Sequence, residues 1–365
     1  MKGRMLIFAS LIILSTIWLF TVPIPAPIKI SDPEFRQMAL GFSEAGGSFP
    51  WDNILSNELP FQNVIPKIKQ IVQPGGAYLG VGPEQNFTYI AAFEPSIAFI
   101  VDIRRQNMLE HLLYKGVFEM AADRADFVSV LFSRKRPAGL IAETPIASLF
   151  KAFNLVIPDR ELLEHNLGMI IDILVRGHQF PLTTDDTAAI SRVYETFFKG
   201  GPALDYGVDV TNGSGRPTYE TLMTATDQQG HNWSYLANES RYRTVRQMEQ
   251  RNLIVPLTGD FAGAMALRRV ARYLKDRHLV VNVFYLSNVE YYLFTQDNWA
   301  RFYENVASLP LNSSSTFIRT VISSQFSGNT SMGFASLSGS MSHTIDSFHQ
   351  GQITNYLDII QMSAR

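Results

Sequence analysis

The sequence predicts an α/β protein: a mostly parallel, doubly wound sheet with a large helical insertion after its second strand and an apolar helix at its N-terminus. Three observations predict it. Short apolar runs end in glycine or acidic turns and are followed by amphipathic stretches, as in Ala77–Val81 before Gln85–Phe93 and "NLIVPLTGDFAG" before "GAMALRRVARYLKD". From Arg104 to about Arg251 the pattern turns helical, with apolar residues three and four apart in "NMLEHLLYKGVFEMA", "DFVSVLF", "ELLEHNLGMIIDILV" and "DTAAISRVYETFF". Eighteen uncharged residues, Met5 to Val22, open the chain after Lys2 and Arg4.

Taken in order, residues 1–22 read as a membrane anchor or signal segment. As a helix the apolar run reaches about 27 Å, enough to span a bilayer. The positive-inside rule keeps Lys2 and Arg4 in the cytoplasm and exports the remainder of the chain. A cleaved signal is the rival reading, although Ile24, Ala26 and Pro27 match a cleavage site poorly; a buried helix is the third. Pro23, Pro25, Pro27 and Pro33 make residues 23–49 a linker. Residues 50–365 form the α/β domain, with the helical insertion at about 105–250, interrupted by the turn-rich "DYGVDVTNGSGRPTYE". Before the first strand, "NVIPKIKQIVQPGG" is a short helix stopped by Pro74 and Gly75. Ile97–Val101 is a buried strand ending at Asp102. "HLVVNVFYLSNVEYY" and "STFIRTVISS" supply later strands, and "SSQFSGNTSMGFASLSGSMS" is an exposed loop or hairpin.

Composition narrows the function. The 365 residues are 46% hydrophobic and 18% charged, ample for a large core. A formal net charge of -2 gives no footprint for nucleic acid. The absence of cysteine removes disulfides, thiolate zinc sites and thiol catalysis.

In open parallel sheets ligands gather at the carboxyl ends of the strands, so the residues ending each strand are the candidates. The first strand ends in Gly80-Val81-Gly82-Pro83-Glu84-Gln85-Asn86, where glycines let a ligand approach the backbone and a helix N-terminus follows. Asp102, twenty residues after Gly82, can accept bonds from ribose hydroxyls, and Arg104 and Arg105 can reach a carboxylate or phosphate. Asp260 and Phe261 offer an acceptor and an aromatic face for a base. Tyr285, Ser287, Asn288 and Glu290 are the catalytic candidates at the fourth strand. Each also has a plain structural reading: a β-to-α turn, a helix cap at Asp102, core packing at Phe261, and salt bridges from the arginines to acids such as Glu110. No P-loop motif is present, Ser214 lacks a nucleophile-elbow context, and His343, Asp346 and His349 share a helical face without a further ligand set. Tyr291 and Tyr292 read as packing.

These motifs resemble the class I S-adenosylmethionine-dependent methyltransferase fold, a Rossmann-like architecture. Gly80 and Gly82 match its first motif, Asp102 its ribose-binding acid, Asp260 the residue near adenine, and Ser287-Asn288 its fourth motif. "GVGPEQNFTYI", "AFIVDIRRQN", "NLIVPLTGDFAG", "FYLSNVEYYLF" and "STFIR" further resemble an uncharacterised bacterial family with this fold, over most of residues 50 to 360. The resemblance implies S-adenosylmethionine as cofactor. Tyr78 stands where the motif has an acid, and Glu84 where it has a third glycine. A nicotinamide dinucleotide also fits Gly80, Gly82 and Asp102, with Gln85 at its third glycine.

Two functions are expected from these readings. One is a methyltransferase-like protein binding S-adenosylmethionine or another nucleoside, with an unknown small-molecule partner. The other is a membrane-anchored or exported binding protein that keeps the fold without catalysis. The domain's expected extracytoplasmic location, or periplasmic release after cleavage, separates it from a donor made in the cytoplasm.

Overall fold

The computed structural model describes residues 29–50, 53–205, 216–322 and 333–363. The expected helix at Met5–Val22 lies outside them; among the described residues no helix is long and apolar enough to cross a membrane.

The chain opens with α1 (Asp32–Gly41), which starts on a Ser31 side-chain cap with Pro33 in its first turn. A 3₁₀ turn (Leu59–Val64) and the short α2 (Ile65–Lys69) lead to β1 (Ala77–Gly80), α3 (Gln85–Phe93) and β2 (Ile97–Asp102). Helices then fill the chain as the apolar spacing predicts: α4 (Arg105–Met120), α5 (Arg124–Phe132), α6 (Ile146–Asn154), α7 (Arg160–Asp172), α8 (Thr184–Gly200), α9 (Tyr219–Thr224) and α10 (Glu239–Gln250). The α/β rhythm resumes with β3 (Ile254–Thr258), α11 (Ala266–Asp276), β4 (Val281–Tyr285), α12 (Val289–Thr295), α13 (Trp299–Ala307) and β5 (Thr316–Ile322). The serine- and glycine-rich tail contributes β6 (Phe334–Ser340), then α14 (Met341–His349) and α15 (Tyr356–Ser363).

The six strands make one sheet in the order β3-β2-β1-β4-β5-β6. All neighbours are parallel except β5 and β6, which form the antiparallel edge that the hairpin alternative requires. β1, β2 and β3 are buried at every position, which is why they read as unbroken apolar runs rather than alternating ones. The register sets Gly80 beside Ile100 and Asp102 beside Thr258. Strand order reverses between β1 and β4, the place where such sheets open a crevice.

α4 packs on both β2 and β3 and so covers the sheet itself; α10 packs on α3 and α4. The cap proper is α5 to α9, and its seam with α4 is aromatic: Phe127 of α5 meets the rings of Tyr114 and Phe118 at 6.4 and 4.5 Å, and Phe197 of α8 meets Tyr114 at 5.7 Å. Burying each such ring stabilises by about 1.5–3 kcal/mol, so this seam fixes the cap to the sheet.

Candidate functional site

The turn after β1 is built by its own side chains. Asn86 donates through Nδ2 to the carbonyls of Val81, Gly82 and Pro83 at 3.0, 3.1 and 2.8 Å, and accepts from the Tyr78 hydroxyl at 2.8 Å. Gly80 is required by this plug, since a Cβ there would lie 1.9 Å from Asn86 Oδ1. Gly82 is required by its φ of +78°, and among the described residues nothing lies within 4 Å of where its Cβ would be. Tyr78 and Asn86 thus satisfy each other where the methyltransferase motif has an acid.

The segment ahead of β1 crosses the carboxyl edge of the whole sheet in the sheet's own order. The Glu44 amide donates to Thr258 O at the end of β3, at 3.0 Å. The Gly47 amide donates to Ile103 O just past β2, at 2.8 Å. Ser56 donates its amide to Glu84 Oε1 at 3.3 Å and its hydroxyl to Gln85 Oε1, beside the β1 turn. Glu58 is then the hub. It accepts from Gln85 Nε2 at 3.0 Å, from Tyr285 OH at 2.9 Å, from Ser287 Oγ, and from Thr320 Oγ1 on β5 at 2.6 Å. The following 3₁₀ turn packs on β6. Glu44 meanwhile occupies the N-terminus of α11, accepting from the amides of Ala264 and Met265 at 3.2 Å. Residues 43–50 and 53–58 therefore form a strap over the place where a nucleotide would lie; Trp51 and Asp52 fall outside the described residues.

The sequence-predicted residues fall into three groups. Asp102 and Arg104 come together, but with each other: Oδ1 accepts from the Arg104 amide and Nε at 2.8 and 3.0 Å, and Oδ2 from Nη2 at 2.9 Å. Arg104 Nη1 also donates to Asn53 O in the strap at 3.2 Å. Gln85, Tyr285 and Ser287 meet at Glu58, with Asn288 Oδ1 3.5 Å from the Ser287 hydroxyl. Ser287 holds a left-handed φ of 50° while its carbonyl accepts from the Thr320 amide at 2.7 Å. The rest lie elsewhere. Glu290 is buried against Arg319 on β5 at 2.6 Å, with the Tyr303 hydroxyl 2.7 Å from its other oxygen. Phe261 is core, stacked on Phe302 and edge-on to Phe284, so its face is not open to a base. Asp260 closes its own turn by accepting from the Ala262 amide at 2.9 Å. Arg105 pairs with Asp186 rather than a ligand, at 2.7 and 2.8 Å, and that pairing holds the Asp186 carboxyl down at about 2. Among the described residues no group of three or more acidic or histidine side chains is placed to hold a metal, His343, Asp346 and His349 included.

Two unpartnered atoms lie beside the Gly82 turn. Glu84 is fully buried and its Oε2 has no partner; burial, together with the charge of Glu58, pushes its carboxyl up to about 8 against the pull of its backbone hydrogen bonds. His111 donates from Nε2 to Gly82 O at 2.9 Å and leaves Nδ1 unpaired; burial drives it down to about 4, so the ring is neutral. Glu44, Ser56, Glu58, Thr320 and His111 carry no motif in the sequence that marks them for this site.

In this arrangement the residues do not fit the adenosyl group of S-adenosylmethionine. The ribose acid is occupied by Arg104, the aromatic face at Phe261 is inside the core, and the strap lies across the strand ends. The profile of one family, described as a domain of unknown function (DUF7790), matches residues 53–146 and 185–355 of the chain. No curated protein matches it.

Proposed function

The chain belongs to the DUF7790 family, and we propose that it is a membrane-anchored binding protein that keeps a Rossmann-like, methyltransferase-like sheet without transferring methyl groups. One observation carries this reading: the carboxyl edge of the sheet is bridged by residues 43–50 and 53–58, whose Glu58 receives four side-chain hydrogen bonds from Gln85, Tyr285, Ser287 and Thr320. Methyl transfer needs little from a protein beyond holding donor and acceptor in line, and the groups that would hold the donor are committed to the protein's own chain. The apolar run Met5–Val22 supports the anchor, and the two cations before it support an extracytoplasmic domain.

Calorimetric titration of S-adenosylmethionine to millimolar concentration tests the reading on the full chain in detergent. The expected outcome is no binding heat. Saturable binding lost in Asp102→Ala would overturn it.

A second reading keeps a nucleoside ligand at the β1 turn once the strap moves. The unpaired Glu84 Oε2 and His111 Nδ1 favour it, because buried polar atoms without partners are uncommon. Adenosine or a nicotinamide dinucleotide binding to the wild type, weakened in His111→Phe, would select it.

A further inference from the structure

Among the described residues, the two most exposed large aliphatic side chains sit two positions apart. Leu155 and Ile157, in the connection between α6 and α7, are 84% and 82% exposed, against 62% for Ile141 on a neighbouring loop of the cap. The connection is not loose. Arg134 donates to the carbonyls of Phe153 and Val156, the Asp159 amide donates to Ser133 O at 2.9 Å, and Lys135 pairs with Asp159 at 3.1 Å. α6 beneath it is anchored by buried Leu149, Phe150 and Phe153. The two side chains are therefore held outward by a tied loop. Residues 147–184, which carry them, also fall in the gap between the two stretches matched by the family.

The start of the described chain runs beside the other end of the same helical unit. Asp32 meets His178 Nδ1 at 2.6 Å, and Arg36 donates to Gln179 O at 3.1 Å, directly after the helical turn that continues α7. α7 has thirteen residues and the helical turn that continues it to Gly177 has five, together about 25 Å of helix. Residues 23–29, between the apolar run and Ile30, reach about 25 Å when fully extended. A tether that short keeps the domain near the bilayer surface, with the α6–α7 connection about one such helix length from the Asp32–His178 contact.

We infer that the Leu155–Pro158 connection is a second membrane contact, inserting Leu155 and Ile157 into the outer part of the bilayer in which Met5–Val22 is anchored; the inference rests on that anchor. Exposed aliphatic side chains on a fixed loop suit the boundary between headgroups and acyl chains. The charges flanking the connection are paired, Lys135 with Asp159 and Arg160 with Glu195, so the contact does not depend on anionic lipid.

The chain has no cysteine, so a single introduced one takes an environment-sensitive fluorophore at one place. The full chain is reconstituted in phosphatidylcholine vesicles with the label at Leu155→Cys, Ile157→Cys or, as a control on α15, Leu357→Cys, which is also exposed. We expect labels at 155 and 157 to emit at shorter wavelength than the control, to resist aqueous iodide several-fold better, and to be quenched by bromine-bearing lipid. Labels as wet as the control, on a chain that alkaline carbonate does not extract, would overturn the membrane contact and leave the anchor standing. Extraction by carbonate with wet labels would overturn both. Protection that persists in detergent and grows with protein concentration would assign the face to a second copy of the chain instead. Asp in place of both residues should abolish the lipid quenching of a label at position 156, without altering the fold, since neither side chain is packed.

Discussion

Glu84 sits where a methyltransferase motif has glycine, and its surroundings explain what a carboxyl does there. One oxygen takes the Ser56 amide of the strap; the other meets nothing, and burial holds the group protonated up to about 8. Glu249 is likewise buried and pushed up to about 8 by burial. Both pKa values lie above the ordinary carboxylate value of 4.5, so the folded state keeps protons that the unfolded chain releases. Their contribution to stability is fully present below about 4.5 and declines as pH rises towards 8. We predict that stability measured by urea unfolding falls from pH 5 to pH 8, and that Glu84→Gln removes about 2–4 kcal/mol of that fall, at 1.36 kcal/mol for each pKa unit. An unchanged pH slope in Glu84→Gln would show that Glu84 is ionised in the folded protein. Asp102 shows another use of a carboxylate: it reads in sequence as a ribose acid, whereas in the structure it ends β2 and accepts from three donors of Arg104, the residue just ahead of α4.

Among the elements, the strap and β5 show how polar groups knit the carboxyl edge together. Arg319 on β5 is buried, pairs with Glu290 of α12 and donates to Ser363 of α15 at 3.0 Å, tying two helices to one strand. Removing one partner of such a pair leaves an uncompensated buried charge. Arg319→Met is predicted to cost about 3–5 kcal/mol, and Arg319→Met with Glu290→Leu to recover most of it. Equilibrium unfolding of both singles and the double checks this; a double variant as unstable as the sum of the singles would contradict it. The strands are legible because each is an apolar run stopped by a polar or glycine turn, and the sheet's parallel character shows in the helices standing between them. The start of α12 is absorbed in the strand read from "HLVVNVFYLSNVEYY", and the serine- and glycine-rich stretch ahead of α14 reads as loop; β6 is legible only as one arm of a hairpin, its other arm being β5. The site divides the same way. Gly80, Gly82 and Asp102 stand in a local pattern, whereas Glu58 depends on partners 27 to 262 residues away, and no local pattern marks such a hub. The strap itself reads as part linker, because polarity is all that a segment lying along strand ends shows in sequence.

At the scale of the whole molecule, an α/β sheet has its carboxyl edge bridged by the segment that leads into it, while the cap exposes Leu155 and Ile157. A binding protein with its contacts on the cap and its crevice held shut is consistent with every bond at the strand ends. Hydrogen exchange of the strap amides tests this most directly, with and without millimolar S-adenosylmethionine. The amides of Glu44 and Gly47, bonded to Thr258 O and Ile103 O, should exchange as slowly as those of β2 and β3, and the added compound should not change their rates. Fast exchange of both amides in the protein alone, or rates that shift when S-adenosylmethionine is added, would contradict it.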